Sequence, residues 1–325
     1  RSNMDIIYIA KDFGRIYFGI FVILAVYHYI QNNKENLYKL ARYFIYTINF
    51  IALVAIVQFF TKTGGLQVSG FYRIRGTFQG FNEYAYVISL VICLALYFLL
   101  NSDTFKKRLF WTITICLNMI VLFGTFSKTS IINTSIIFLL MSLFLPLKRR
   151  LQLWGSTIVL GGLLFGFLVA TGTLDKLILR FSESASLNWR IEMWTVLYNM
   201  ILQGNILLGQ GVNASRNFLD LLVKPGDSNA PHNIYLETTY NFGLIGIIPF
   251  VIIFILMLFK SIFIFFDNKN DIKTNKMLGL CLMSVTLVTI IQNFVSNAFY
   301  DRYSNIVFWV ITSIFVYLHD LNNKE

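Results

Sequence analysis

His232 is the residue from which a chemical reading of this chain starts. It lies in the run Pro231-His232-Asn233-Ile234-Tyr235-Leu236-Glu237, where a long polar stretch, 172–241, meets an apolar span. The other two histidines, His28 and His319, sit at the ends of apolar spans, so His232 is the only imidazole inside a large polar loop. A lone histidine is more often a structural hydrogen-bonding group than a catalyst. Its position at a membrane edge, on a face shared with arginines, keeps the catalytic reading open beside the structural one. Glu237 follows on the same run.

Two arginine groups accompany it. Arg73-Ile74-Arg75-Gly76-Thr77-Phe78 precedes Asn82-Glu83-Tyr84-Ala85. If Arg73 to Arg75 is extended, both guanidiniums fall on one face. Two adjacent forks suit a diphosphate through bidentate charge-assisted hydrogen bonds; two arginines anchoring a loop to lipid headgroups is the equally weighted reading. Arg190 opens a helical pattern over 187–202 in which Ile191, Trp194, Leu197 and Ile201 recur at helical spacing. That pattern predicts an amphipathic helix lying at the outer interface. A cation near a helix N-terminus is not favoured by the dipole, so an anionic partner explains Arg190 better. Gly209-Gln210-Gly211 reads as a turn and does not follow a strand, which excludes a dinucleotide-binding loop.

With one histidine in the loop, no cysteine there and no carboxylates at ligand spacing, a catalytic zinc is not expected. No Ser-His-Asp assignment follows from the spacing. Cys93, Cys116 and Cys281 all fall in apolar spans and read as small core residues.

The elements that must hold these groups are membrane helices. The 325 residues are 56% hydrophobic, 17% aromatic and only 13% charged, about half the charge of a soluble domain. The net charge of +11 does not point to nucleic acid, because the basic residues punctuate the spans and form no single face. Apolar runs at about 14–30, 43–60, 84–100, 110–126, 131–145, 153–171, 242–260, 277–294 and 305–318 predict nine transmembrane helices. Three parts follow: 1–171 with six spans, the loop 172–241, and 242–325 with three spans. Basic residues concentrate in alternate connections (Lys34, Lys39, Arg42; Lys106, Lys107, Arg108; Lys148, Arg149, Arg150; Lys260, Lys269, Lys273, Lys276). That side is expected to be cytoplasmic and 172–241 to face outward. The chain begins at Arg1, and an odd number of helices ahead of it would restore an inside N-terminus. Charges are nearly absent from span interiors, which favours chemistry at the membrane boundary over passage through it.

The chain resembles the O-antigen ligase and polysaccharide polymerase superfamily of bacterial envelopes. The likeness rests on Arg75-Gly76-Thr77-Phe78 with Asn82-Glu83-Tyr84-Ala85, Asn188-Trp189-Arg190 with Trp194, Leu208-Gly209-Gln210-Gly211, and His232-Asn233-Ile234-Tyr235-Leu236-Glu237 with Gly243 and Gly246. The resemblance implies an all-α polytopic glycosyltransferase of GT-C-like architecture in the bacterial inner membrane. Its active site would face the extracytoplasmic side and need neither metal nor cofactor. Such enzymes move a glycan from a polyprenyl diphosphate carrier to an acceptor hydroxyl, in a membrane setting that includes a flippase or chain-length regulator. In this reading Arg75 and Arg190 bind the diphosphate with Arg73 in support. His232 orients or deprotonates the acceptor, as an imidazole with an ordinary pKa of about 6.5 can, and Glu237 supports it or a sugar. A polymerase of O-antigen or capsular glycan is preferred, because no feature ties the chain to lipid A core. A ligase is the close alternative, and a lipid-linked glycan transporter the alternative from another class.

Overall fold

The computed structural model describes residues 2–31, 33, 35–68, 71–183, 185–221, 231–266, 272–296 and 302–324. Lys34, Lys224, Asp227 and Lys269 lie outside them, as do the side chains of His319 and Lys273. The chain is an all-α integral membrane protein with one small hairpin. Helices α1 (Ser2–Gln31), α2 (Glu35–Thr61), α3 (Phe81–Leu100), α4 (Phe105–Gly124), α5 (Lys128–Leu143), α6 (Leu147–Ala170), α7 (Thr173–Ser182), α8 (Ala185–Gln203), α9 (Ala214–Leu219), α10 (Ile234–Phe266), α11 (Ile272–Val295) and α12 (Arg302–Lys324) follow in order. Between α2 and α3, β1 (Leu66–Val68) pairs antiparallel with β2 (Phe71–Arg73), Leu66 opposite Arg73. Each expected span falls on a helix. Among the described residues five helices are long and apolar enough to cross a membrane, and Tyr17–Gln31, Lys128–Leu143 and Ser304–Leu318 are shorter apolar helices.

Two compact units form. One comprises 38–183 with 258–288, the other the chain up to Leu37 with 184–257 and 289 onward. The polar stretch divides between them, α7 in the first and α8 and α9 in the second.

In the first unit α3 is the core. It is apolar on all sides, so no polar face directs it outward, and its buried residues run almost unbroken from Tyr84 to Phe98. Small hydroxyl and amide bonds tie its neighbours together, as expected where apolar contact alone gives helices little preference for each other over lipid. Thr134 Oγ1 bonds Ser89 Oγ at 3.0 Å between α5 and α3. Asn118 Nδ2 donates to Asn49 Oδ1 at 2.7 Å between α4 and α2. Cys93 and Cys281 are buried as expected and meet sulfur to sulfur at 3.7 Å.

In the second unit α1 packs closely on α12, where a Cβ at Gly19 would collide with the Trp309 ring. The helix expected over 187–202 forms as α8, but its face differs from the expected one. Met193, Leu197 and Ile201 are buried with Leu219 of α9 and Tyr240 of α10. Ile191 is exposed. The partner of this face is protein, because α9 and α10 fold back onto it.

Helix α10 is broken at Gly243, whose φ of 63° and ψ of −160° no helix contains. The segment 206–211 lies in the break. In an intact helix Leu244 N and Ile245 N would donate to Tyr240 O and Asn241 O. Here those carbonyls accept from Gln210 N (2.8 Å) and Gly211 N (2.9 Å), while Leu244 N and Ile245 N donate to Ile206 O (2.9 Å) and Leu207 O (3.3 Å). Four bonds replace two, so these four backbone groups of α10 stay paired across the break. Two glycines make this possible: a Cβ on Gly209 would strike Asn241, and one on Gly243 would strike Leu207 O. Gly243→Ala is therefore expected to cost at least about 1–3 kcal/mol from backbone strain alone, read as a lowered Tm in detergent. Gly155→Ala in α6, with nothing within 4 Å of the added methyl, is the control expected to leave Tm unchanged.

Candidate active site

The second unit brings His232, Arg190, Arg216 and Glu237 into one polar cluster. The backbone at His232 is left-handed, φ 51°, a conformation uncommon for a residue with a Cβ and one that marks functional positions often enough to note. Its neighbours hold it there. Trp194 Nε1 donates to Pro231 O at 2.7 Å, pinning Pro231 to α8. Asn233 then caps α10, its Oδ1 accepting from Tyr235 N (3.0 Å) and Leu236 N (3.1 Å). Tyr235 is occupied in holding α10 to α11, with its hydroxyl on Ile290 O at 3.1 Å and its ring 4.4 Å from that of Phe294. The imidazole itself stands edge-to-face with Trp189, ring centroids 6.1 Å apart.

Glu237, one turn into α10, is buried at 1% exposure. Its Oε1 accepts from Arg216 Nε at 3.1 Å. A carboxylate in the first turn of a helix is favoured by the dipole, and this one fixes a guanidinium beside His232. Arg216 itself sits on α9, which Asn241 anchors by accepting Ser215 N at 2.8 Å. The break in α10 thus positions α9, and α9 positions Arg216.

The electrostatic consequence falls on the imidazole. Burial first, then the charges of Arg190 and Arg216, push the His232 pKa from its ordinary 6.5 down to about 4. The ring is neutral at physiological pH and a weaker base than the sequence leads one to expect. Two guanidiniums, that of Arg216 paired with Glu237, stand beside this neutral imidazole.

The Arg73–Arg75 group lies in the first unit. Arg73 ends β2 and is 3% exposed. Its Nε donates to Thr125 O at 2.7 Å and its Nη2 to Phe126 O at 3.1 Å, with the guanidinium 3.3 Å from the centre of the Phe81 ring. It pins the turn between α4 and α5, where Phe126 has φ 52°. Arg75 is half-buried and bonds two carbonyls, through Nε to Gly64 O (3.1 Å) and through Nη1 to Gln79 O (2.9 Å). Its Nη2 and any carboxylate contact are absent from its bonds among the described residues. Gln58 of α2 shapes the turn under it, its Oε1 accepting from Arg75 N (3.3 Å) and Gly76 N (3.0 Å). The two arginines therefore serve different partners. Among the described residues no group of three or more His, Cys, Asp or Glu side chains is placed to hold a metal ion.

The structure brings Arg190 of one sequence cluster beside His232 and Glu237 of another and adds Arg216, which the sequence pattern passes over. No local signal marks it, since its carboxylate partner lies 21 residues downstream. The Trp189 and Trp194 contacts had a signal, the Asn188-Trp189-Arg190 motif.

The arrangement sets a neutral imidazole beside two guanidiniums on a helical membrane scaffold. Residues 113–251 match the family model described as O-antigen ligase, which supports the O-antigen ligase and polymerase superfamily. Members of that family are enzymes acting on lipid-linked glycans in membrane lipid. The match contains Arg190, Arg216, His232 and Glu237, while Arg73 and Arg75 lie ahead of it. No curated protein matches the chain significantly.

Proposed function

We propose that this protein is a metal-independent glycosyltransferase that polymerises polyprenyl-diphosphate-linked oligosaccharide units into an O-antigen or capsular polysaccharide. Nine membrane crossings in a GT-C-like arrangement, a bacterial inner-membrane location and an outward-facing 172–241 loop belong to the same reading. The observation that carries it is the placing of Arg190 and Arg216 against a neutral His232. The guanidiniums neutralise the leaving diphosphate, which is a weak base and needs charge stabilisation more than a proton. His232 receives the proton of the acceptor hydroxyl as that oxygen attacks the anomeric carbon and the bond to diphosphate breaks. Glu237 is a positioning residue that holds Arg216. What supports Arg75 as a phosphate ligand is its Nη2, which carries no hydrogen bond among the described residues. The support from Arg73 is indirect, through the loop that carries Arg75.

The donor also tunes the base. Its negative charge offsets the two guanidiniums, so His232 regains basicity when the donor is bound.

Purified protein given a polyprenyl-diphosphate glycan should release polyprenyl diphosphate and build a ladder of products. The family model's description favours a second reading, a ligase, which would yield one transfer to a lipid A core acceptor and no ladder. Donor movement across a vesicle membrane without diphosphate release would overturn both in favour of a transporter.

Topology is tested in a background in which Cys93, Cys116 and Cys281 are replaced. Leu221→Cys should react with an impermeant reagent in intact cells, and Lys106→Cys only after permeabilisation. The reverse pattern would overturn the outward placing of the site.

A further inference from the structure

The first unit contains a second polar feature, far along the helices from Arg75. A cavity of about 580 Å³ opens where the N-terminal part of α2, the end of α3 and the start of α4 converge. Arg42 and Lys107 stand in its lining, and no carboxylate does. Arg42 stacks over Phe98 with the guanidinium 5.5 Å from the ring centre. Neither cation has an ion-pair or side-chain hydrogen-bond partner among the described residues. The aromatic walls are ordered by stacking: Phe98 on Trp111 at 4.7 Å and 15°, Tyr38 on Tyr97 at 6.4 Å and 5°. The connecting turn is equally fixed. Arg108 Nε donates to Ser102 O at 2.9 Å, and Thr104 caps α4 at Lys107 N.

We propose that this cavity binds the phosphodiester headgroup of an anionic glycerophospholipid, with Arg42 and Lys107 as its phosphate ligands. Charge selects the headgroup: two cations with no carboxylate in the lining favour a net negative lipid over a zwitterionic one. Basic pockets between membrane helices are a recurrent form of such recognition. Continuity selects a lipid over a soluble phosphate. Tyr43 and Phe50 of α2 and Leu109 and Ile113 of α4 are exposed alongside, an apolar surface along which acyl chains can lie.

Place separates this lipid from the glycan donor. The Arg75 loop joins the end of α2 to the start of α3, whereas the cavity lies at the other end of both. A helix of 27 residues is about 40 Å long at roughly 1.5 Å per residue, enough to cross a bilayer. The lipid therefore comes from the leaflet opposite the Arg75 loop, the one the basic connections assign to the cytoplasm. The inference does not depend on the transferase reading.

The test is native mass spectrometry of the full chain in detergent, with equimolar phosphatidylglycerol and phosphatidylcholine of identical acyl chains. The wild-type protein should retain phosphatidylglycerol preferentially. Arg42→Gln and Lys107→Gln should each weaken that retention roughly five-fold, and the double variant roughly 25-fold, from the worth of one cation near an anionic lipid surface. Both side chains are exposed, so unchanged Tm values are expected. Equal retention of both lipids, or wild-type retention by the double variant, would overturn the proposal. Displacement of phosphatidylglycerol by a polyprenyl phosphate at equal concentration would also overturn it, making the cavity a carrier site.

Discussion

Replacing His232 by Ala is expected to lower turnover by about 10²–10⁴-fold, the usual worth of a general base, while donor binding persists through the arginines. The measurement is single-turnover release of polyprenyl diphosphate alongside donor affinity. His232→Asn is the companion variant. Asn tolerates the left-handed backbone at this position and forms hydrogen bonds, but it takes up no proton at neutral pH. Wild-type turnover in Asn would leave His232 a positioning group; wild-type turnover in Ala would return it to a structural role. The pH dependence adds a second reading of the same residue. A base works only when deprotonated, so activity falls as pH drops through its pKa. For the free enzyme that limb in kcat/KM is expected near pH 4, well below the ordinary 6.5. In the donor complex the limb in kcat should lie higher, because the diphosphate offsets Arg190 and Arg216. A kcat limb at or below the kcat/KM limb would contradict that coupling.

Arg190→Ala is expected to cost about 10²–10³-fold in turnover, in the range for removing one group that stabilises developing negative charge. It has a second, separable effect. Arg190 is one of the charges holding the His232 pKa down, so its loss should move the acid limb of kcat/KM toward higher pH. Arg190→Lys keeps a charge without the planar fork. That variant should leave the limb in place while recovering only part of the turnover. An unmoved limb in Arg190→Ala would mean that the guanidinium does not act on the imidazole. Full turnover in Arg190→Ala would place the diphosphate elsewhere.

The sequence by itself determined that this is a helical membrane protein, because apolar run length and backbone self-satisfaction leave few alternatives. It also marked the polar stretch, the His232 run and the glycines at 209, 211 and 243, since these are local departures from an apolar pattern. What the glycines do was decided by tertiary structure. Gly243 and Gly209 let a loop from before α9 complete the hydrogen bonds of a broken helix, an exchange between segments some thirty-odd residues apart that no periodicity encodes. The buried face of α8 meets α9 and α10 for the same reason, while Leu187, Ile191, Tyr198 and Leu202 stay exposed on the helix. Spacing shows that a face is apolar and does not name what covers it. The two arginines at 73 and 75 look equivalent in sequence, yet one is buried among carbonyls of the α4–α5 turn and the other, half-buried, bonds the carbonyls of Gly64 and Gln79. Arg216 became part of the site only because Glu237 reaches it across the fold. The low pKa of His232 has the same origin: residue type sets the ordinary value, while burial and two cations brought from α8 and α9 set the actual one.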